Sequence, residues 1–152
     1  MTESEYELRP PRSDEEWRVF HAIRRRVLFE NRGKGERYSE NHPDDSQPGN
    51  HPLVLFYRDE IIGVMRLDVS DSVAWLRRVA IREDLQRVGH GRVLLKLAEA
   101  FAKEQGCDEL RTNAAVEAVG FYERGGYERD LEASPPPNSV RMWKRLTPLD
   151  HQ

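Results

Sequence analysis

Residues 79–95 read VAIREDLQRVGHGRVLL, which predicts a short apolar strand, a turn and a helix entered through glycines. After the turn, the apolar residues fall at positions 93, 94, 97, 98 and 101, the spacing of an amphipathic helix. Gly89 and Gly91 allow a tight turn that leaves backbone N–H groups bare. A helix N-terminus with open N–H groups is a ready anion site. With Arg87 and Arg92 beside it, this turn is predicted to bind a phosphate or pyrophosphate.

Two familiar nucleotide-binding loops do not fit this turn. A dinucleotide fingerprint needs a third small residue three positions after the second glycine, where Leu94 stands. A Walker A loop needs Gly-Lys-Ser/Thr, whereas Gly91 is followed by Arg92 and Val93. What remains is Gln-x-x-Gly-x-Gly, beginning at Gln86. Taken alone, this pattern also suits an ordinary connection between a strand and a helix.

A second motif lies downstream, where residues 118–127 read AVGFYERGGY. The two motifs occur in this order, and 31 positions separate Gly91 of the first from Tyr122 of the second. Together they resemble the signatures of the GCN5-related N-acetyltransferase (GNAT) family. The resemblance implies an α/β (α+β) fold with a mixed, twisted, largely antiparallel sheet of about six to seven strands. It also implies helices on both faces and a central pair of parallel strands that splay apart.

The rest of the chain fits this arrangement. Ser13, with Glu16 three residues later, predicts the start of a helix that extends to about residue 30. The predicted strands span residues 6–9, 53–57, 61–69, 73–81, 107–114, 127–129 and 140–146. Gly63 inside a strand predicts a bulge or a close backbone approach. We expect one domain over residues 1–152, with a frayed tail at 147–152.

The composition narrows the class of protein. The formal net charge is −3, whereas a nucleic-acid-binding protein is usually basic. The single cysteine, Cys107, cannot form an internal disulfide, which suits a reducing compartment, and we interpret it as a packing residue. We find no signal-like segment and no apolar run near the roughly 20 residues needed to cross a membrane. These features predict a cytoplasmic protein with no nucleic-acid or membrane partner.

The family resemblance implies a reaction and a site. Acetyl-CoA would serve as co-substrate, and a primary amine would attack it directly in a ternary complex. Tyr122 would be the general acid that protonates the CoA thiolate. The residues that the resemblance assigns to acetyl-CoA are Val79, Ala80, Ile81, Gln86, Arg87, Val88, Gly89, His90, Gly91, Arg92, Asn113 and Tyr122. No metal is expected, because His42, Asp44, Asp45 and His51 match no metal-binding spacing.

The acceptor and the general base stay open at this stage. Residues 31–52 form a polar segment that builds part of the acceptor site in the family, and its acidic side chains would suit a cationic amine. An equally good interpretation is that this segment is a solvent-exposed loop whose charges serve only its solubility. Arg77 and Arg78 stand where many family members carry a glutamate, so either there is no dedicated base or another carboxylate acts through water. The candidates are Glu36, Glu40, Asp44, Asp45 and Asp68.

Other questions are likewise open. A small amine or amino acid is slightly favoured over a peptide or protein amine as acceptor. A non-catalytic acyl-CoA-binding sensor or interaction module is the alternative function, although an intact Tyr122 favours the enzyme. The run Arg24-Arg25-Arg26 suits the C-terminal turn of a helix, with binding of an acidic group as the second interpretation. Family members often dimerise, which leaves a homodimer open.

Overall fold

The computed structural model describes residues 5–147. Residues 148–152 of the tail that was predicted to be frayed lie outside this range. The strands are β1 (Tyr6–Arg9), β2 (Asn50–Tyr57), β3 (Glu60–Ser70), β4 (Val73–Ile81), β5 (Glu109–Ala115), β6 (Glu128–Arg129) and β7 (Ser139–Arg145). The α-helices are α1 (Asp14–Arg24), α2 (His90–Glu104) and α3 (Val119–Arg124). The strands form one seven-stranded mixed sheet in the order β1-β2-β3-β4-β5-β7-β6. The predicted fold class is thereby confirmed.

Helices cover both faces of this sheet because the strand side chains alternate. Val54 of β2 packs in one cluster with Phe20 and Ile23 of α1. Its neighbours Leu53 and Leu55 belong to the larger cluster on the opposite face, where α2 contributes its buried apolar side. None of the helices within residues 5–147 is both long and apolar enough to cross a membrane.

The first helix begins as predicted but ends differently. The Ser13 hydroxyl accepts a hydrogen bond from the Glu16 N–H at 3.1 Å, which caps α1. The expected continuous helix to about residue 30 is wrong in its second half. There the chain widens into a π-helical turn at Arg25–Phe29 and then tightens into a 3₁₀ turn at Glu30–Arg32. Such π turns occur often at functional sites.

Gly63 makes the close approach that its position predicted. A Cβ atom there would lie 2.8 Å from Ile81 Cδ1 and 3.1 Å from the Ala80 carbonyl oxygen. The pairing of β2 with β3 also shifts register beside Leu55 and Phe56. Gly63 therefore lets β3 press against the end of β4 that leads into the glycine turn.

The parallel strands β4 and β5 pair for only part of their length. Their register runs from Val73 opposite Glu109 to Leu76 opposite Thr112 and goes no further. Beyond this point β5 keeps its pairing with β7 alone, and β4 stays with β3 through a bulge that contains Arg78, whose φ is 52°. The two strands therefore splay apart and open a cleft through the sheet.

Candidate active site

The glycine turn between β4 and α2 has the backbone that the sequence motif predicted. Gly89 is the N-cap residue of α2 with φ 101°, and no side chain caps the helix there. Arg87 is also left-handed, with φ 67°. The Gln86 side-chain amide donates a hydrogen bond to the Ile81 carbonyl oxygen at 3.0 Å and closes the turn. The first N–H groups of α2 are thus left for another acceptor.

His90 contributes to this turn through its backbone alone. Its ring is buried, and Nδ1 lies 2.8 Å from the Tyr6 hydroxyl oxygen. The rings of Tyr6 and Tyr57 surround it at 5.8 and 5.1 Å between centroids. The imidazole therefore anchors α2 to β1 and β2, and only the backbone N–H group of His90 is left for the predicted contact with the co-substrate.

A cavity of about 760 Å³ extends from the glycine turn along β4 to α3. This volume lies within the range of about 300–1,000 Å³ that is usual for small-molecule sites. Of the residues predicted to bind the co-substrate, nine line this cavity: Val79, Ala80, Ile81, Gln86, Arg87, Gly89, Gly91, Arg92 and Tyr122. Val88 is 56% exposed on the turn, and Asn113 lies across the cleft.

A second cavity, of about 420 Å³, lies where β4 and β5 separate. Asn113 and its neighbours on β5 form one wall, and Arg77 and Arg78 of β4 form another. The side-chain oxygen of Asn113 accepts a hydrogen bond from Nε of Arg141. The two cavities meet at the cleft, where both are lined by Leu28, Arg32, Val79, Ala118 and Tyr122.

Tyr122 sits at this junction. It is 7% exposed on α3, with the rings of Phe121 and Tyr127 edge-on at 5.1 and 5.5 Å. Burial raises the pKa of Tyr122, and a hydrogen-bond interaction with Thr112 opposes that effect only in part. The phenol therefore keeps its proton at neutral pH, which is the state that a general acid needs.

Two carboxylates considered as bases are held by arginines. Asp45 bonds to Arg24 at 2.8 Å and to Arg66 at 3.2 Å. Asp68 bonds to Arg66 at 2.7 Å and lies 3.7 Å from Arg77. Burial by itself raises the pKa of Asp45, but the hydrogen bonds and charges of Arg24 and then Arg66 outweigh it, so this pKa is lowered. Such a carboxylate is a weak proton acceptor at neutral pH.

This network supports a stability prediction. Asp45→Asn leaves the buried Arg24, with a side chain only 2% exposed, without its counter-charge, so we expect a loss of about 3 kcal/mol in the free energy of unfolding. Asp44→Asn is the matched control, because the Asp44 side chain is 52% exposed and should change stability by less than about 0.5 kcal/mol. Urea unfolding of both variants measures the difference. Equal midpoints for the two would contradict the role given to Asp45.

The same contact predicts a pH dependence. A carboxyl group whose pKa is lowered by folding stabilises the protein above its unfolded pKa of about 3.9 and loses that contribution as the pH falls through the folded value. The stability gap between the wild-type protein and Asp45→Asn should therefore narrow below about pH 4. Urea midpoints measured from pH 7 down to pH 3 give the comparison.

The remaining candidate residues lie apart from both cavities. Glu36, Glu40 and Asp44 are exposed and line neither of them. The ring of His51 packs 5.3 Å from that of Phe101. Within residues 5–147, no three His, Cys, Asp or Glu side chains come together as a metal site. Cys107 lies in the core at 4% exposure, and burial raises the pKa of its thiol.

The cleft also contains residues that the sequence did not single out. Leu28 and Phe29 of the π turn and Arg32 just beyond it line the second cavity, together with Lys34 and Thr112. Leu28, Phe29 and Arg32 belong to the π turn and the 3₁₀ turn after it, and no pattern in the sequence predicted the π turn. A larger opening of about 970 Å³ lies between α1 and the end of β4 but does not reach Tyr122.

Comparisons with known proteins agree with this geometry. The model of the Acetyltransferase (GNAT) family matches residues 14–127. A provisionally named acetyltransferase of Bacillus subtilis (strain 168) is 26% identical over 123 residues, which cover 79% of this chain and 82% of the relative. The structure of PaiA N-acetyltransferase from Thermoplasma acidophilum, in complex with coenzyme A, is similar with a TM-score of 0.73 at 19% identity, over 95% of this chain and 99% of the other.

A second solved structure has the same fold. The structure of spermidine N-acetyltransferase from Vibrio cholerae, in complex with CoA and spermine, is similar with a TM-score of 0.69 at 19% identity. The match covers 93% of this chain and 96% of the other chain. The family match spans well over half of the chain, so it extends far beyond the two motifs. The protein is an enzyme of the acyltransferase class. It belongs to the Acetyltransferase (GNAT) family, and the resemblance found in the sequence is confirmed.

Proposed function

We propose that this enzyme transfers an acetyl group from acetyl-CoA to a primary amine by direct attack within a ternary complex. The observation that supports this most is the position of Tyr122, which lines both cavities where they meet. The cavity at the glycine turn would hold the donor, and the cavity between the splayed strands would hold the amine.

The first cavity suits the donor chemically. Diphosphate needs several N–H donors and a positive potential, and the uncapped start of α2 with Arg87 and Arg92 offers both. The edge of β4 past Leu76 that faces β5 is not paired with that strand, so peptide groups on this edge, beginning at Val79, could bond amides of the pantetheine chain. Burial of Ala80 and the apolar Val79 and Ile81 suits the aliphatic parts of that chain.

The reaction needs two contributions from the protein, polarisation of the thioester carbonyl and protonation of the departing sulfur. Acetyl-CoA supplies a thioester carbonyl, whose carbon forms a bond to the amine nitrogen as its bond to sulfur breaks. The Val79 N–H at the cleft would polarise the carbonyl oxygen. Tyr122 would give its phenolic proton to the departing sulfur. The proton lost by the amine passes to water.

The charge of the second cavity supports a reaction in which the bound amine is neutral without a dedicated base. Its described lining includes neither a carboxylate nor a histidine, but it includes four cationic side chains. Nearby positive charge disfavours an ammonium ion and lowers the pKa of a bound amine. Water would then suffice as proton acceptor, which accounts for arginine at position 78 where a glutamate base would otherwise be expected.

Calorimetric titration with acetyl-CoA, followed by thiol release against a panel of amines, polyamines, amino acids and peptides, tests this proposal. We expect saturable one-to-one binding and thiol release that requires an acceptor. Absence of acetyl-CoA binding would overturn the donor assignment. Binding without release on any member of the panel would contradict transfer to a small amine and favour the sensor alternative.

A further inference from the structure

We propose that the acceptor is a small amine that also carries an anionic group, a carboxylate or a phosphate, and that Arg78, Arg77 and Lys34 bind this group. The inference rests on the proposed function, because it names the substrate class of the same site. Three observations support it: the charge of the second cavity, the lack of counter-charges for its cations, and the buried arginine behind them.

The lining of the second cavity is cationic. Arg32, Lys34, Arg77 and Arg78 line it, and no aspartate or glutamate does so among its described residues. Arg32, Lys34 and Arg78 form no ion pair with any carboxylate within residues 5–147, and Arg77 is 3.7 Å from its single partner Asp68. Surface cations usually point to solvent or pair with neighbours. Here they face a cavity that contains the reacting end of the site.

The charge behind this wall is also positive. Arg24 and Arg66 are buried, and both form an ion pair with Asp45. Asp68 forms an ion pair with Arg66 and lies 3.7 Å from Arg77. Four guanidinium groups, counting Arg77 and Arg78, are therefore balanced by two carboxylates in this network. The exposed Asp44 adds only a small opposing effect on Arg77 and Arg78.

Arg24 lines neither cavity, but it contributes to the positive charge near the second one and also lacks hydrogen-bond partners. Its side chain is 2% exposed, and its Nε and Nη2 atoms have no hydrogen-bond partner among the described residues. Burial and the positive charges of Arg24 and Arg66 lower the pKa of Arg78. A bound anion would relieve this repulsion, because it supplies the negative charge that the network lacks.

The backbone conformation at Arg78 fixes the position of this residue beside the second cavity. Its φ of 52° places a non-glycine residue in the left-handed region, which costs roughly 1 kcal/mol for most side chains, within the bulge of β4. Its guanidinium carbon lies 5.6 Å from the centre of the Phe29 ring on the π turn. Arg78 is therefore fixed between two elements that both line the cavity, and strained residues of this kind occur often at ligand sites.

This inference separates the enzyme from relatives that act on polycations. The Vibrio cholerae structure is named for spermidine and contains spermine. A polyamine in the present cavity would bring additional positive charge against four cations, three of which have no carboxylate partner within residues 5–147, whereas an anionic group would be attracted by them. The cavity volume of about 420 Å³ suits a metabolite-sized acceptor.

Matched acceptor pairs provide the test. Thiol release is measured for an amino acid and its carboxamide, for phosphoethanolamine and ethanolamine, and for spermidine. We expect kcat/KM to be on the order of tenfold or more higher for the anionic member of at least one pair, and the pair that shows it distinguishes carboxylate from phosphate. A neutral member or spermidine as the better substrate would overturn the inference and leave acetyl transfer intact. Failure of acetyl-CoA binding would instead overturn the proposed function.

Two variants test the residues. Arg78→Asn removes the charge with a side chain that tolerates positive φ, and we expect KM for the anionic acceptor to rise about tenfold while its neutral analogue changes little. Lys34→Glu, at an exposed position that is safe for folding, should move the preference towards spermidine. Arg18→Gln on the exposed side of α1 removes one positive charge, as Arg78→Asn does, and as the control it should leave the preference unchanged. An unchanged preference in both cleft variants would contradict the assignment.

Discussion

Gly89→Val is expected to abolish the binding of acetyl-CoA. Gly89 has φ 101°, and a β-branched residue in that conformation is strongly strained, so the turn must rearrange. Rearrangement moves the N–H groups at the start of α2 away from the diphosphate. Each hydrogen bond to a charged group contributes about 1.5–3 kcal/mol, so the loss of two would weaken binding by roughly 10²–10⁴-fold. Calorimetric titration with acetyl-CoA measures the change directly.

The control for this substitution lies at the other end of the same helix. Gly106 follows α2 with φ 88°, and a Cβ atom there would meet nothing within 4 Å. Gly106→Val therefore carries a comparable backbone strain at a site remote from the glycine turn. We expect both variants to unfold at lower urea concentration, while only Gly89→Val loses its ligand. A folded Gly89→Val protein with wild-type affinity would show that the turn does not bind the diphosphate.

Tyr122→Phe should lower kcat by on the order of 10²–10⁴-fold, the usual contribution of a positioned general acid. The phenyl ring preserves the contacts with Phe121 and Tyr127, so acetyl-CoA affinity should stay the same. The departing thiolate then has to take its proton from water. Thiol release at saturating acceptor, combined with an acetyl-CoA titration, separates the two effects.

Tyr127→Phe is the matched control, because it removes a buried hydroxyl from the same aromatic cluster. The Tyr127 hydroxyl donates to Glu99 at 2.9 Å, and the residue lines neither cavity. Its loss should cost stability but spare turnover. If Tyr127→Phe slowed the reaction as much as Tyr122→Phe, the effect would lie in the packing of α3. The raised pKa of Tyr122 also predicts no loss of kcat below about pH 10 through ionisation of this residue.

Most of the correct predictions from the sequence concern local features such as strand bounds and turns. The strand bounds at Tyr6–Arg9 and Val73–Ile81 match the prediction, because apolar alternation and turn residues act over a few positions. The turn at Gly89 could also be predicted, since a φ of 101° strongly favours glycine. The π turn at Arg25–Phe29 could not, because its hydrogen bonds differ from those of an α-helix without any distinct side-chain pattern.

The electrostatics of the cleft needed the folded chain. The acidic residues of positions 31–52 suggested a cationic acceptor, but Asp45 is bound to Arg24 on one side and Arg66 on the other, each 21 positions away along the chain. Sequence spacing cannot tell which carboxylate meets which arginine when the partners come from a loop, a helix and a strand. With Asp45 and Asp68 in ion pairs, the cations around Arg78 remain unbalanced.

The sequence by itself indicated the family, the strands in chain order, the glycine turn and the motif that contains Tyr122, because each of these depends on residue type at short spacing. The tertiary structure alone decided where the two cavities meet and which sign of charge lines the second cavity. Burial is the physical reason for that division. It raises the pKa of Tyr122 and lowers that of Arg78, and it depends on every element packed around them.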